Sequence, residues 1–327
     1  MKLFRKVAFS LVSVALLFPV AGRAEELADR ITYVIGSNAG GGYDRYGRLI
    51  ARYLEKHLPV RSVTPVNRAV AGGKLAVRDV INGPSNASEI MIFNTGQIFS
   101  ELTVPDTGLA NAKWIGKAAA EARVLVVHPK TGIESFEELR EKSESLTFVA
   151  SSFGNAGHLQ TSMINDAFGL KLKVVPGFGG GERRASMAKG EADGMIASES
   201  NISPLVEAGH AVPIMMFGTP TDPALTNVPR ATDLAETEDE ILVTTVIESF
   251  SLLGRPTIAP AATDPEVLDT LREAFVAVMT DPEFLAEAEA QGLPIDWLPG
   301  PETEALAMQL LADNPRLAEM INAILSR

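Results

Sequence analysis

The sequence contains no cysteine in its 327 residues. Disulfides, thiol nucleophiles, zinc–thiolate sites and iron–sulfur clusters are thereby excluded, and stability has to come from a packed core. Histidine is scarce too. The four copies form neither an H-E-x-x-H helix motif nor a closely spaced ligand set for a metal. Basic residues are outnumbered, 29 against 41 acids, which argues against nucleic acid or an anionic membrane surface as partner. Beyond residue 24 no apolar run is long enough to cross a bilayer.

The first 24 residues differ from the rest. Lys2, Arg5 and Lys6 precede an apolar stretch over residues 7–20, and Gly22-Arg23-Ala24 offers a small-x-small cleavage site. This is the layout of a secretory signal peptide, with cleavage expected after Ala24 and a periplasmic destination. No cysteine follows the apolar stretch, so a lipid anchor is excluded. Cleavage removes four of the 29 basic residues and no acid, leaving 25 against 41 and a net charge of −16. Long-range attraction then cannot deliver an anionic ligand; local dipoles would have to hold it.

From residue 25 onward, short apolar runs alternate with amphipathic helical stretches, which predicts an α/β fold with mostly parallel sheets. Residues 31–35 (ITYVI) read as a strand, and Tyr46, Leu49, Ile50, Tyr53, Leu54 and Leu58 then recur at helical spacing. Further strands are expected at 63–66, 90–93, 124–127, 146–150 and 172–175. Ser135 stands three residues before Glu138, the spacing of a capping box. Residues 219–240 read as surface loop, 243–247 and 252–258 as extended, and 265–279 and 282–291 as helices opened by proline. A last helix over 302–325 is interrupted near Pro315.

Three strand–loop–helix units carry glycine-rich turns: residues 36–44 (GSNAGGGYD), 151–157 (SSFGNAG) and 177–181 (GFGGG). Each presents unpaired backbone N–H groups at a helix N-terminus, where the helix dipole adds partial positive charge. Glycine lets an anion's oxygens approach that backbone closely. The dinucleotide fingerprint fails, because the third glycine is replaced by Arg45 after the first turn and by Glu182 after the third. A phosphate-binding P-loop fails for want of its lysine–hydroxyl pair. A carboxylate fits best, being small enough for two or three N–H groups to enclose.

The stretch "AGGGYDRYGRLIARYLEKHLP" resembles the opening unit of the solute receptors of tripartite tricarboxylate transporters, the TctC/Bug-type periplasmic binding proteins. "VNRAVAGGKLAVRDV" resembles their next segment, with Ala69-Val70 in place of the usual proline and glycine. "FVASSFGNAGHL", "VVPGFGGGERRASMAKGEADGMIAS", "LGRPTIAPAATDPEVLDTLREAF" and "DPEFLAEAEAQGLPID" follow in the family's order, so the likeness runs from about residue 31 to the last helix.

The resemblance implies a type II periplasmic-binding-protein fold: two α/β lobes with central mixed sheets, joined by crossing strands and closing like a flytrap. Residues 25–122 with 247–327 would form lobe one and 123–246 lobe two. A monomer without cofactor or metal would capture a small organic carboxylate, di- or tricarboxylate or aromatic, and deliver it to the permease subunits of such a transporter. The carboxylate would lie between one turn, Ser37, Asn38, Ala39, Gly40, Gly41, Gly42, Tyr43 and Asp44, and another, Ser151, Ser152, Asn155, Ala156, Gly157 and His158. Asn94, Thr95, Gln97, Phe178, Gly179 and Ser198 would line the cleft. Gly41, Gly42 and Tyr43 would donate N–H groups, and Ser151, Ser152 and Asn155 side-chain bonds. Where some relatives carry a charged side chain for the ligand's distal group, this chain has Met195, Ile196 and Ala197. No cationic partner for a second carboxylate is therefore evident.

Several of these residues have a second reading. Asp44 at a helix start favours the dipole and caps local N–H groups. His158 either donates to the ligand or braces its own turn. Tyr43 and Phe178 either stack on a planar ligand or wall the cleft. An exported α/β hydrolase would need a nucleophile elbow, G-x-S-x-G, and no window supplies one. A receptor that presents the same cleft to a signalling partner would differ only in that partner.

Overall fold

The computed structural model describes residues 26–103, 105–312 and 314–327; the signal peptide and cleavage site expected from the sequence lie outside the described residues. Strand β1 (Arg30–Ile35) leads into helix α1 (Gly42–His57), followed by β2 (Ser62–Asn67), α2 (Lys74–Ile81), β3 (Glu89–Ile92), α3 (Gly96–Thr103) and β4 (Lys113–Lys117). The middle of the chain forms β5 (Arg123–Val127), α4 (Phe136–Lys142), β6 (Thr147–Val149), α5 (Ala156–Ala167), β7 (Lys173–Val175) and α6 (Gly180–Ala188). It continues through β8 (Gly194–Ser198), α7 (Glu199–Glu207) and β9 (Val212–Phe217). Helices α8 (Ala231–Leu234) and α9 (Glu238–Leu253) return to β10 (Pro256–Ala259). Then α10 (Pro265–Met279), α11 (Pro282–Ala290), β11 (Leu298–Pro299), α12 (Gly300–Leu310) and α13 (Pro315–Leu325) follow.

The strands form two sheets, ordered β11-β4-β10-β3-β1-β2 and β7-β6-β8-β5-β9. Both are mixed rather than mostly parallel. β1 runs parallel to β2 and β3, and β6 to β7 and β8, as glycine-turn units require. β10 runs antiparallel to β3 and β4, and β5 to β8 and β9. β5 and β10 enter from the other sheet, which reverses their direction, and a strand-and-helix alternation gives no sign of that.

In α1 the apolar residues fall on one face as their spacing predicts: Tyr46, Leu49, Ile50 and Leu54 are buried, while Arg48 and Arg52 on the other side reach solvent. Burying each large apolar side chain contributes roughly 1.5–3 kcal/mol. A Cβ on Gly47 would stand 2.8 Å from Ile35 Cγ1, so this glycine lets the helix lie close on the sheet. Residues 243–247 are helical, not extended. Thr237 and Glu240 form a capping box that starts α9, and buried Glu240, Val243, Thr244, Ile247, Phe250 and Ser251 keep helical spacing. The β-branched run LVTTVI reads as strand by propensity, but the tertiary face decides it. Likewise 219–240 is only partly loop, since α8 and the first turn of α9 lie in it and Leu225 and Ala231 are fully buried. Among the described residues no helix is long and apolar enough to cross a membrane.

Candidate functional site

The chain crosses from the first sheet to the second through residues 118–122 and returns through 254–255. The two crossings pair with each other: Ala118 N–H donates to Arg255 O at 3.0 Å and Arg255 N–H to Ala119 O at 2.9 Å. Gly254, at φ +48°, turns there with its α-carbon against Ala119, where a Cβ would collide with the Ala119 carbonyl. A cleft opens above these crossings.

Four helices direct their N-termini at the cleft. Their N-cap residues Gly41 (α1), Asn155 (α5), Gly179 (α6) and Ser198 (α7) all line it. At α1 and α5 no N-cap side chain bonds the first turn, so those N–H groups remain available to a ligand, whereas at α7 Ser200 N donates to Glu121 Oε1 at 3.2 Å and Glu199 N to Ala122 O at 2.9 Å. At α6, Glu182 Oε2 accepts from Gly179 N at 2.6 Å. Of the residues expected from sequence, Ser37, Asn38, Gly41, Gly42, Tyr43, Asn94, Thr95, Ser151, Ser152, Asn155, Ala156, Gly157, Phe178, Gly179 and Ser198 line this one cleft.

Ala39, Gly40, Asp44, Gln97 and His158 are not part of that lining. Asp44 braces the first turn: Oδ2 accepts from Gly40 N at 2.8 Å, and Oδ1 from Arg48 Nε and Asn67 Nδ2, both at 2.9 Å. Burial pushes its carboxyl pKa up, but the Gly40, Arg48 and Asn67 bonds outweigh that and hold it below the usual range. His158 Nδ1 accepts from Gly154 N at 3.2 Å, which ties the 151–157 turn to its helix, and burial lowers the imidazole pKa. Ser151 Oγ has no hydrogen-bond partner, so no serine–histidine pair forms here. Gln97 Nε2 donates to Gly72 O at 2.7 Å and so supports the cleft wall from behind.

The largest feature missed from sequence is a set of arginines. Arg123 on β5, Arg183 on α6 and Arg255 on the returning crossing all line the cleft. Arg255 is held by its neighbours: it forms a buried ion pair with Glu121, donates to Ser198 Oγ at 3.1 Å, and lies over the rings of Tyr43 and Tyr46, 4.3 and 5.2 Å from their centroids, while its Nε is left without a partner. Tyr43 is thereby a wall; its ring holds Arg255 and its hydroxyl donates to Gly254 O at 3.1 Å. Arg123 Nε and Arg183 Nε are buried without a partner, and Arg183 donates only through Nη1, to Ile196 O at 3.1 Å. Burial, then the Arg183 guanidinium, holds the Arg123 pKa down to about 9, and burial with Arg184 lowers that of Arg183 to about 10. Both stay charged at neutral pH. Where the sequence shows no evident cation for the cleft, the fold brings three arginines to its lining. Arg183 and Arg255 fall inside family-like stretches, just after the third glycine turn and in LGRP, but the three lie far apart in sequence, so local pattern does not show that they meet in one cleft.

The two sides of the cleft touch at several places. Asn94 Nδ2 donates to Asn155 Oδ1 at 2.6 Å, Arg184 Nη2 to Gly40 O at 2.9 Å, and Gly41 meets Gly180.

Comparison with known proteins agrees with this architecture. Residues 47–316 match the family model described as "Tripartite tricarboxylate transporter family receptor". A "UPF0065 protein in the TAR-I ttuE-ttuC' intergenic region" from Agrobacterium vitis is 20% identical over 94% of this chain and 88% of its own. Among solved structures, the periplasmic binding protein BugD superposes with a TM-score of 0.74 at 18% identity, covering 90% of this chain and 97% of its own. R. palustris Rpa4515 with adipate gives 0.72 at 20% identity, over 90% and 97% of the two chains. MatC from Rhodopseudomonas palustris with bound malate gives 0.72 at 19%, over 89% and 98%.

Proposed function

The chain belongs to the tripartite tricarboxylate transporter receptor family, and from that premise we propose that it is a periplasmic, non-enzymatic receptor for a small organic carboxylate. Two lobes, one built on each sheet, close over the ligand, and the loaded receptor hands it to the membrane permease of that transporter class.

The observation that carries this reading is the convergence of uncapped helix N-termini, α1 and α5 above all, on one cleft. Their first-turn N–H groups can enclose carboxylate oxygens, and the dipoles supply local positive charge in a strongly acidic chain. Gly41, Gly42 and Tyr43 on one side, with Ser151, Ser152 and Ala156 on the other, are the donors we assign. The adipate and malate found in two relatives are ligands of this chemistry. Calorimetric titration of the purified protein with mono-, di- and tricarboxylates tests the reading: saturable binding of at least one carboxylate is expected. Turnover of an ester or glycoside without carboxylate binding would refute it.

A further inference from the structure

Two guanidiniums, Arg123 and Arg183, face the cleft with no ion-pair partner among the described residues, although Glu121 favours the charge of Arg123. Glu121 is the acid that lines the cleft beside them, and it is committed to Arg255. Arg183 stands next to the α5 turn, since a Cβ on Gly157 would lie 3.5 Å from its Nη1 and 2.7 Å from Ser151 Oγ. Arg123 is close enough to Arg183 and Arg255 for each to disfavour its charge. Two like charges held side by side, with buried nitrogens that bond to nothing, are costly unless an anion completes them. A single carboxylate at the helix N-termini does not need them. Planar, forked guanidiniums are suited to gripping a further carboxylate in bidentate fashion.

The geometry points to a second anion subsite at Arg123 and Arg183, which makes the ligand a dicarboxylate or more highly charged acid and excludes monocarboxylates as good ligands. This inference rests on the carboxylate-receptor reading and specifies its ligand class.

The test compares succinate, glutarate and adipate with their half-amides, which keep size and shape and remove one charge. Calorimetry on the unaltered protein is expected to show a loss of about 100-fold for the half-amide of the best dicarboxylate, the scale of one lost charge-assisted pair. In Arg123→Gln and Arg183→Gln that difference is expected to shrink to about threefold, because the discriminating charge has gone. The comparison on the unaltered protein stands even if a variant fails to fold. Equal binding of a dicarboxylate and its half-amide overturns this inference and leaves the receptor reading in place. Failure of every carboxylate to bind overturns both.

Discussion

Gly41 and Gly180 meet across the mouth of the cleft: a Cβ on Gly180 would stand 2.8 Å from the Cα of Gly41. Each belongs to the N-terminus of a different helix, α1 and α6, so this contact joins the two sides of the grip. The first prediction concerns that contact. Gly180→Ala suits the helix, which gains propensity, but obstructs the approach of the two turns. The unliganded protein should keep its melting temperature while carboxylate affinity falls about tenfold, as the ligand must hold a strained closed state. Unchanged affinity by calorimetry would remove the contact from the binding step.

The second prediction concerns the ion pair between Glu121 and Arg255, whose side chains are 1% and 5% exposed. Glu121→Gln leaves the guanidinium buried without its counter-charge, at a cost of about 3 kcal/mol. Thermal or urea unfolding should show it. A double variant, Glu121→Leu with Arg255→Met, should recover much of that loss, because removing both charges removes the desolvation penalty as well. If the double variant is less stable than Glu121→Gln, the pair stabilises the fold beyond offsetting its own desolvation.

Asp44 carries the third. Asp44→Ala strips the Gly40 N–H, Arg48 and Asn67 of a shared acceptor. The expected loss is about 1–2 kcal/mol of stability, typical of a lost helix-start carboxylate, together with weaker ligand binding as the 37–43 turn loosens. Weaker binding with unchanged stability would instead indicate direct contact with the ligand.

How legible all this was varies with the feature. The glycine turns were readable because strand, loop and helix follow one another within about a dozen residues, so the sequence order is also the spatial order. Asp44 announced itself as a helix-start acid. The arginine floor was not readable: Arg123, Arg183 and Arg255 sit on β5, α6 and the returning crossing, and only tertiary folding brings them together. α9 reads as strand from sequence because β-branched residues dominate 242–247, although the Thr237–Glu240 box and the i, i+3, i+4 spacing of its buried residues are present. The mixed sheet order follows from the crossing strands, which local pattern cannot orient.

His158 gives a pH prediction. Its ring must stay neutral to accept the Gly154 N–H, and burial lowers its pKa below the ordinary imidazole value. Its contribution to stability is therefore fully present above the unfolded value of about 6.5. It is lost as pH falls from there toward the lower folded value, because the unfolded chain binds the proton first. Melting temperature should decline between pH 7 and 5.5 in the native protein, and His158→Gln should flatten that decline. Parallel profiles for the two proteins would exclude this role.

The central claim is that a carboxylate occupies the cleft between the N-termini of α1 and α5. A crystal structure of the protein with its best-binding dicarboxylate tests it most directly. The account predicts one carboxylate within about 3 Å of backbone N–H groups of Gly42 or Tyr43 and of the 151–156 turn, the usual hydrogen-bond reach, with the second against Arg123 and Arg183. A ligand seated away from both helix N-termini would contradict it.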